Sequence, residues 1–148
     1  MVVESYRPQK LEIMTQCIVY DETTNAFGRL IDNELQAKLE NNPLYSQDGM
    51  KKDAKCIAVF RIGNIRWYVL EGQPEGTDFI LYGIVVGMID TEYGYMSAKE
   101  MSSLTIDASK YGLGILKVEQ DKTFIPCKLS EIVDAELQSF LSNMYDKE

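Results

Sequence analysis

The stretch CIAVFRIGNIRWYVL, residues 56–70, decides the fold. Cys56, Ala58, Phe60 and Ile62 fall at every second position, so an extended chain places them on one face. Gly63-Asn64 then suits a two-residue hairpin loop, because glycine adopts positive φ without a Cβ clash and asparagine visits that region readily. A loop of that length sets the register. Ile62 is expected opposite Ile65, Phe60 opposite Trp67 and Ala58 opposite Val69, an apolar face with an aromatic pair at its centre. The other face sets Arg61 across from Arg66 and Val59 across from Tyr68.

Downstream, EGQPEGTD (residues 71–78) is expected to be a loop, with the chain turning between Gly72 and Gly76. FILYGIVV (79–86) is apolar on both faces, as a central strand would be, and Gly83 within it marks a bulge or a close neighbour. A short YGYM strand follows, and Ser97 with Glu100 has capping-box spacing for a helix start, with Ala98, Met101 and Leu104 inward. Thr123 to Pro126 is a candidate edge strand, since proline lacks a donor for central pairing. From Leu129, the positions Leu129, Ile132, Val133, Leu137, Phe140, Leu141 and Met144 trace one helical stripe. Upstream, Ile31, Leu35 and Leu39 recur at four-residue spacing, ended by Asn41, Asn42 and Pro43. β-branched residues in EIMTQCIVYDE (12–22) favour a strand there. The expectation is one α+β domain over residues 29–148, a mainly antiparallel sheet of four to six strands against two or three helices. Residues 1–28 are expected to form an N-terminal extension, either an added strand or a specific partner-binding segment.

The whole-chain balance narrows function. With 148 residues the chain holds one core. No apolar run approaches the roughly 20 residues of a membrane helix, and residues 1–10 are polar where a signal peptide would turn apolar, which points to the cytoplasm. A formal charge of −8 opposes phosphate backbones, so direct nucleic-acid binding is disfavoured. The three cysteines, Cys17, Cys56 and Cys127, are widely spaced among apolar neighbours and read as structural, unpaired thiols.

There is no histidine, which removes Ser-His-Asp and Cys-His nucleophile activation and histidine metal sites. Gly112-Leu113-Gly114 lacks the further glycine of a dinucleotide fingerprint, and no cofactor is expected. Glu71, Glu75 and Asp78 offer hard oxygens for a cation, or a carboxylate pair for acid–base chemistry with Lys99 beside them; a solvated turn is the plainer alternative. Arg61 opposite Arg66 calls for a counter-anion, because like charges across a ladder repel. That anion is a carboxylate of the chain, with Glu71, Glu75 and Asp78 nearest in sequence, or an anion of a ligand or protein docked beside an exposed Tyr68; free solvation of the two flexible side chains is the third alternative.

NPLYSQD (42–48), WYVLEGQPEGTDF (67–79), LYGIVVG (81–87) and EYGYMSAKEMSSL (92–104) stand in an order that resembles bacterial domain-of-unknown-function family 2958, found on conjugative plasmids, phages and related mobile elements. The resemblance spans residues 30–132. It implies a mobile-element accessory protein and transfers no catalytic residue. Where members tend to carry an acidic-Arg-acidic triplet before the last strand, this chain has Glu119, Gln120 and Asp121. The functional expectation is a noncatalytic protein-binding protein acting in conjugation, phage biology or host-defence interference. The alternatives are a small-ligand protein with an anion site at Arg61, Arg66 and Tyr68, or a carboxylate-dependent enzyme.

Overall fold

In the computed structural model, which describes residues 27–146, the hairpin of the opening stretch forms the middle of a five-stranded antiparallel sheet. The strands are β1 (Lys55–Cys56), β2 (Ala58–Ile62), β3 (Ile65–Glu75), β4 (Asp78–Val86), β5 (Glu92–Ser97), β6 (Thr105–Asp107), β7 (Ile115–Lys117), β8 (Glu119–Gln120) and β9 (Cys127–Lys128). The helices are α1 (Asn33–Glu40), α2 (Ala98–Ser103) and α3 (Ala135–Tyr145). Sheet order is β5-β4-β3-β2-β8, with β1–β9 and β6–β7 as separate two-stranded ladders. The chain is a single α+β domain.

The register of β2 against β3 is the one the loop length dictates: Ala58 pairs Val69, Phe60 pairs Trp67 and Ile62 pairs Ile65. Gly63 takes φ of 56°, the left-handed value the turn needs. On this face Phe60, Trp67, Val69, Phe79 and Leu81 pack with Leu35 and Leu39 of α1 and Met101 of α2. The reverse face is also a core, where Val59, Tyr68, Leu70, Ile84 and Val86 pack with Leu137 and Leu141 of α3. Helices on both faces explain why β4 is apolar throughout. Burial of each large side chain here contributes about 1.5–3 kcal/mol.

Helix boundaries follow their caps. Asp32 accepts from the Leu35 amide at 2.8 Å to start α1, and Ser97 accepts from the Glu100 amide at 3.1 Å to start α2, as its spacing implies. Leu104, expected inward, instead sits at the C-cap of α2 in extended conformation and is exposed. The stripe from Leu129 is not one helix: Leu129–Glu131 is a 3₁₀ turn, Val133 is exposed, and α3 begins only after Asp134 caps the Glu136 and Leu137 amides. Thr123 to Pro126 forms no strand; the sheet edge is β8, and Cys127–Lys128 pairs with β1.

The expected loop 71–78 is mostly strand. Glu75 pairs Asp78 across a tight turn at Gly76-Thr77, and Pro74 is tolerated because β2 ends opposite Val69 and leaves that side of β3 without a ladder. Between Val69 and Glu71 the β3–β4 register slips at Leu70, a bulge opposite Gly83. A Cβ at Gly83 would lie 1.9 Å from the Tyr68 carbonyl oxygen, so only glycine lets β4 approach there. The strand expected at residues 12–22 lies outside the described residues. No helix among the described residues is long and apolar enough to cross a membrane.

Candidate functional site

Arg61 and Arg66 are cross-strand partners, as the register requires, but neither is left to a ligand. Arg66 donates to both carboxylate oxygens of Asp134, at 2.8 and 2.9 Å, to Glu136 at 2.7 Å and to the Asn64 carbonyl at 2.7 Å. The side chains of Arg66 and Asp134 are 12% and 8% exposed, so this is a desolvated pair. Arg61 meets Asp121 at 3.2 Å on the surface. Tyr68, expected exposed, is buried under α3 and donates its hydroxyl to Asp134. Burial first, then that hydrogen bond, pushes its phenol up to about 12. The arginine face is therefore a structural junction that pins the start of α3 to the sheet. Its carboxylates come from the far end of the chain and not from Glu71, Glu75 or Asp78. Asp134 is the kind of residue that caps a helix start, but a single helical stripe read from Leu129 ran across it and hid that signal.

The three acids of the β3–β4 segment also part company. Asp78 accepts the Ser97 hydroxyl and the Phe79 and Lys99 amides, at 2.7 and 3.2 Å for the amides, so it anchors the start of α2. Those hydrogen bonds outweigh burial and lower its pKa. Lys99 donates to the Thr77 hydroxyl at 2.8 Å, and Glu75 closes the hairpin turn. Glu71 is carried to the α3 side by the bulge. Among the described residues no three cysteine or acidic side chains are grouped to hold a metal ion.

Where Glu71 goes is the less anticipated feature. It is 4% exposed, and its two oxygens accept the Tyr45 and Gln47 amides, each at 2.8 Å. Gln47, itself buried, donates to the Lys55 and Leu70 carbonyls at 2.8 Å and accepts the Lys55 amide at 2.6 Å. This network fixes the loop between α1 and β1 against the sheet. Two non-glycine residues of that loop, Tyr45 and Lys51, have φ of 74° and 56°, strain that the surrounding bonds must hold.

Five of the nine tyrosines gather at the same corner. On β5 the two-residue period turns Tyr93 and Tyr95 to the α3 side, opposite Ile84 and Tyr82. Tyr82 stacks on Tyr93 with centroids 5.9 Å apart and lies 4.9 Å from Tyr95. Tyr93 and Tyr145 share a 2.7 Å hydroxyl contact, and Tyr95 donates to Tyr45 at 3.1 Å. Glu71, Tyr82, Tyr93, Tyr145, Gln47 and Asp48 line a cleft of about 200 Å³. Burial and the Tyr145 hydroxyl raise the Tyr93 phenol above its ordinary range.

The opposite face of the same strand carries a second cleft of about 220 Å³, walled by Trp67, Val85, Met88 and Met96, with Gly94 leaving its rim bare. A Cβ at Gly94 would meet nothing within 4 Å. β5 itself ends the sheet order: among the described residues its outer side pairs with no strand. YGYM is legible in the sequence as a strand and not as a site. Its alternation of tyrosine with glycine was the available signal. No protein-family model, curated protein or solved structure matches this chain.

Proposed function

We propose that this chain is a noncatalytic docking protein that takes an extended segment of a protein partner along β5. The observation that carries this reading is the outer edge of β5, which pairs with no strand among the described residues and has a cleft on each face. An added strand gains main-chain hydrogen bonds from such an edge, and its alternate side chains enter pockets above and below, which confers selectivity. β5 is short and carries an exposed Glu92, features that limit indiscriminate edge pairing without blocking a matched segment. A setting on a bacterial mobile element is what the resemblance of the ordered blocks to family 2958 implies. We place the protein in the cytoplasm, its partner belonging to conjugation, phage growth or host-defence interference.

The test is selection of short random peptides, displayed on a surface, against the full chain and against Gly94→Leu. The leucine has open space at the β5 rim, so the variant is expected to keep its melting temperature and to lose the peptides that the parent binds. Bound peptide is expected to slow hydrogen exchange at β5 amides. Equal binding by Gly94→Leu, or protection confined to another element, contradicts the docking assignment.

A further inference from the structure

We infer that the cleft on the α3 side of β5 receives a basic side chain, arginine or lysine, carried by the docked segment. This rests on the docking reading of β5 and specifies its partner. Glu71 lines that cleft. Its two hydrogen bonds come from backbone amides, which satisfy the oxygens but bring no positive charge, and among the described residues it forms no ion pair. A buried carboxylate treated this way leaves its field directed into the cleft that it lines. Asp48 and Lys51, both exposed, also belong to the lining, which therefore holds two carboxylates and one ammonium.

The walls suit a cation as well. Tyr82, Tyr93 and Tyr145 present aromatic rings, whose faces attract ammonium and guanidinium groups. Burial chiefly raises the pKa of Tyr82, and the charges of Glu71, Tyr145 and Asp48 add to it. A volume of about 200 Å³ is below the roughly 300–1,000 Å³ of small-molecule pockets and is of side-chain size. The chain as a whole carries −8, which draws basic partners toward it.

The strand period adds a register. Residues of an added strand alternate between the two faces, so a basic residue entering the tyrosine cleft places its immediate neighbours on the side of Trp67 and Met96. The recognised pattern is therefore a basic residue flanked by an apolar one.

Two arms test this and separate its failure from that of the docking reading. In the first, peptides selected on the parent chain are resynthesised with citrulline for arginine, or norleucine for lysine. Affinity is expected to fall about tenfold on the parent. On Asp48→Asn/Tyr82→Leu, which removes one carboxylate and one ring of the lining but keeps Glu71, the replacement is expected to cost less than on the parent. Peptides that protect β5 but show no basic preference overturn the cleft assignment and leave docking standing. In the second arm, the full chain is titrated with ethylguanidinium chloride against neutral ethylurea, following the Tyr45 and Gln47 amide resonances by NMR. Shifts with the cation alone support the cleft even if no peptide is selected, in which case only the docking reading falls. No shift, together with no basic preference, overturns the inference.

Discussion

Near the start of β3, Arg66 is half-buried against the start of α3; farther along the same strand and on the same side of the sheet, Glu71 is buried against the loop that precedes β1. Arg66 is met by opposite charge, with Asp134 and Glu136 closing its guanidinium, whereas Glu71 is met by neutral amides. Both groups have their hydrogen bonds, and only one has its charge cancelled. A cancelled charge is a fastener. An uncancelled one beside a cleft keeps the capacity to attract something else, and that difference separates the structural end of the molecule from the end assigned to binding.

The comparison breaks most visibly at Arg66. Arg66→Ala strands Asp134 in a desolvated position and is expected to cost about 3–5 kcal/mol, measured as a lower urea midpoint. Asp134→Asn keeps a competent helix cap while removing the charge, and isolates the pH dependence. The Arg66 hydrogen bonds, followed by that of Tyr68, hold the Asp134 carboxyl well below its ordinary range. A depressed folded pKa gives stability that is present above the unfolded value, near 4, and is lost as pH falls from there. The parent is therefore expected to lose stability below about pH 4 with a slope that Asp134→Asn makes shallower. A parallel acid limb in the two proteins would show that the pair contributes nothing distinctive.

Much of this was legible in residues 56–70 and little of it elsewhere. A hairpin is a local object: the Gly63-Asn64 turn and the alternation of Phe60, Ile62, Trp67 and Val69 determine one another, and the observed register agrees at every paired position. The charge partners are not local. Arg61 and Arg66 were paired correctly with each other, yet their acids lie 60 and 68 residues away, at positions fixed by how α3 and the segment after β8 fold back. Nearness in sequence pointed to Glu71, Glu75 and Asp78 and failed for that reason. The bulge at Leu70 was equally invisible, although it is what turns Glu71 to the α3 side. Gly83 signalled a close approach without saying which strand would yield. Tyr93 and Tyr95 were visible as a period, but their meeting with Tyr45 and Tyr145 depends on tertiary packing.

At the other pole of the comparison, Glu71→Gln retains the size of the side chain and one oxygen for the two amides. Expected destabilisation is about 1–3 kcal/mol, less than at Arg66, because the groups left short of a partner are a single amide and a buried NH₂. The more telling readout is the loss of ethylguanidinium shifts at a temperature where the variant is still folded. Stability lost with cation response retained would assign Glu71 to holding the loop alone.

The smallest effect is expected at Arg61, the cross-strand neighbour of Arg66. The two arginines share a ladder position and a side-chain type, and each has an acidic partner of its own, so the ladder alone would suggest equal importance. Solvent decides otherwise. The Arg61 side chain is 47% exposed and its single contact to Asp121 is 3.2 Å, within reach of water and salt on one side. Asp121 does not depend on it, because the Thr123 hydroxyl at 2.6 Å and amide at 3.0 Å also hold that carboxylate. The Thr123 hydroxyl is the leading cause of its lowered pKa, with Arg61 contributing less. Removing Arg61 therefore leaves no buried charge without a partner. Arg61→Ala is expected to shift stability by no more than about 0.5–1 kcal/mol, with the difference shrinking further in molar salt. A loss at Arg61 approaching that at Arg66 would mean that the repulsion between the two guanidiniums, and not the burial of one of them, governs the junction.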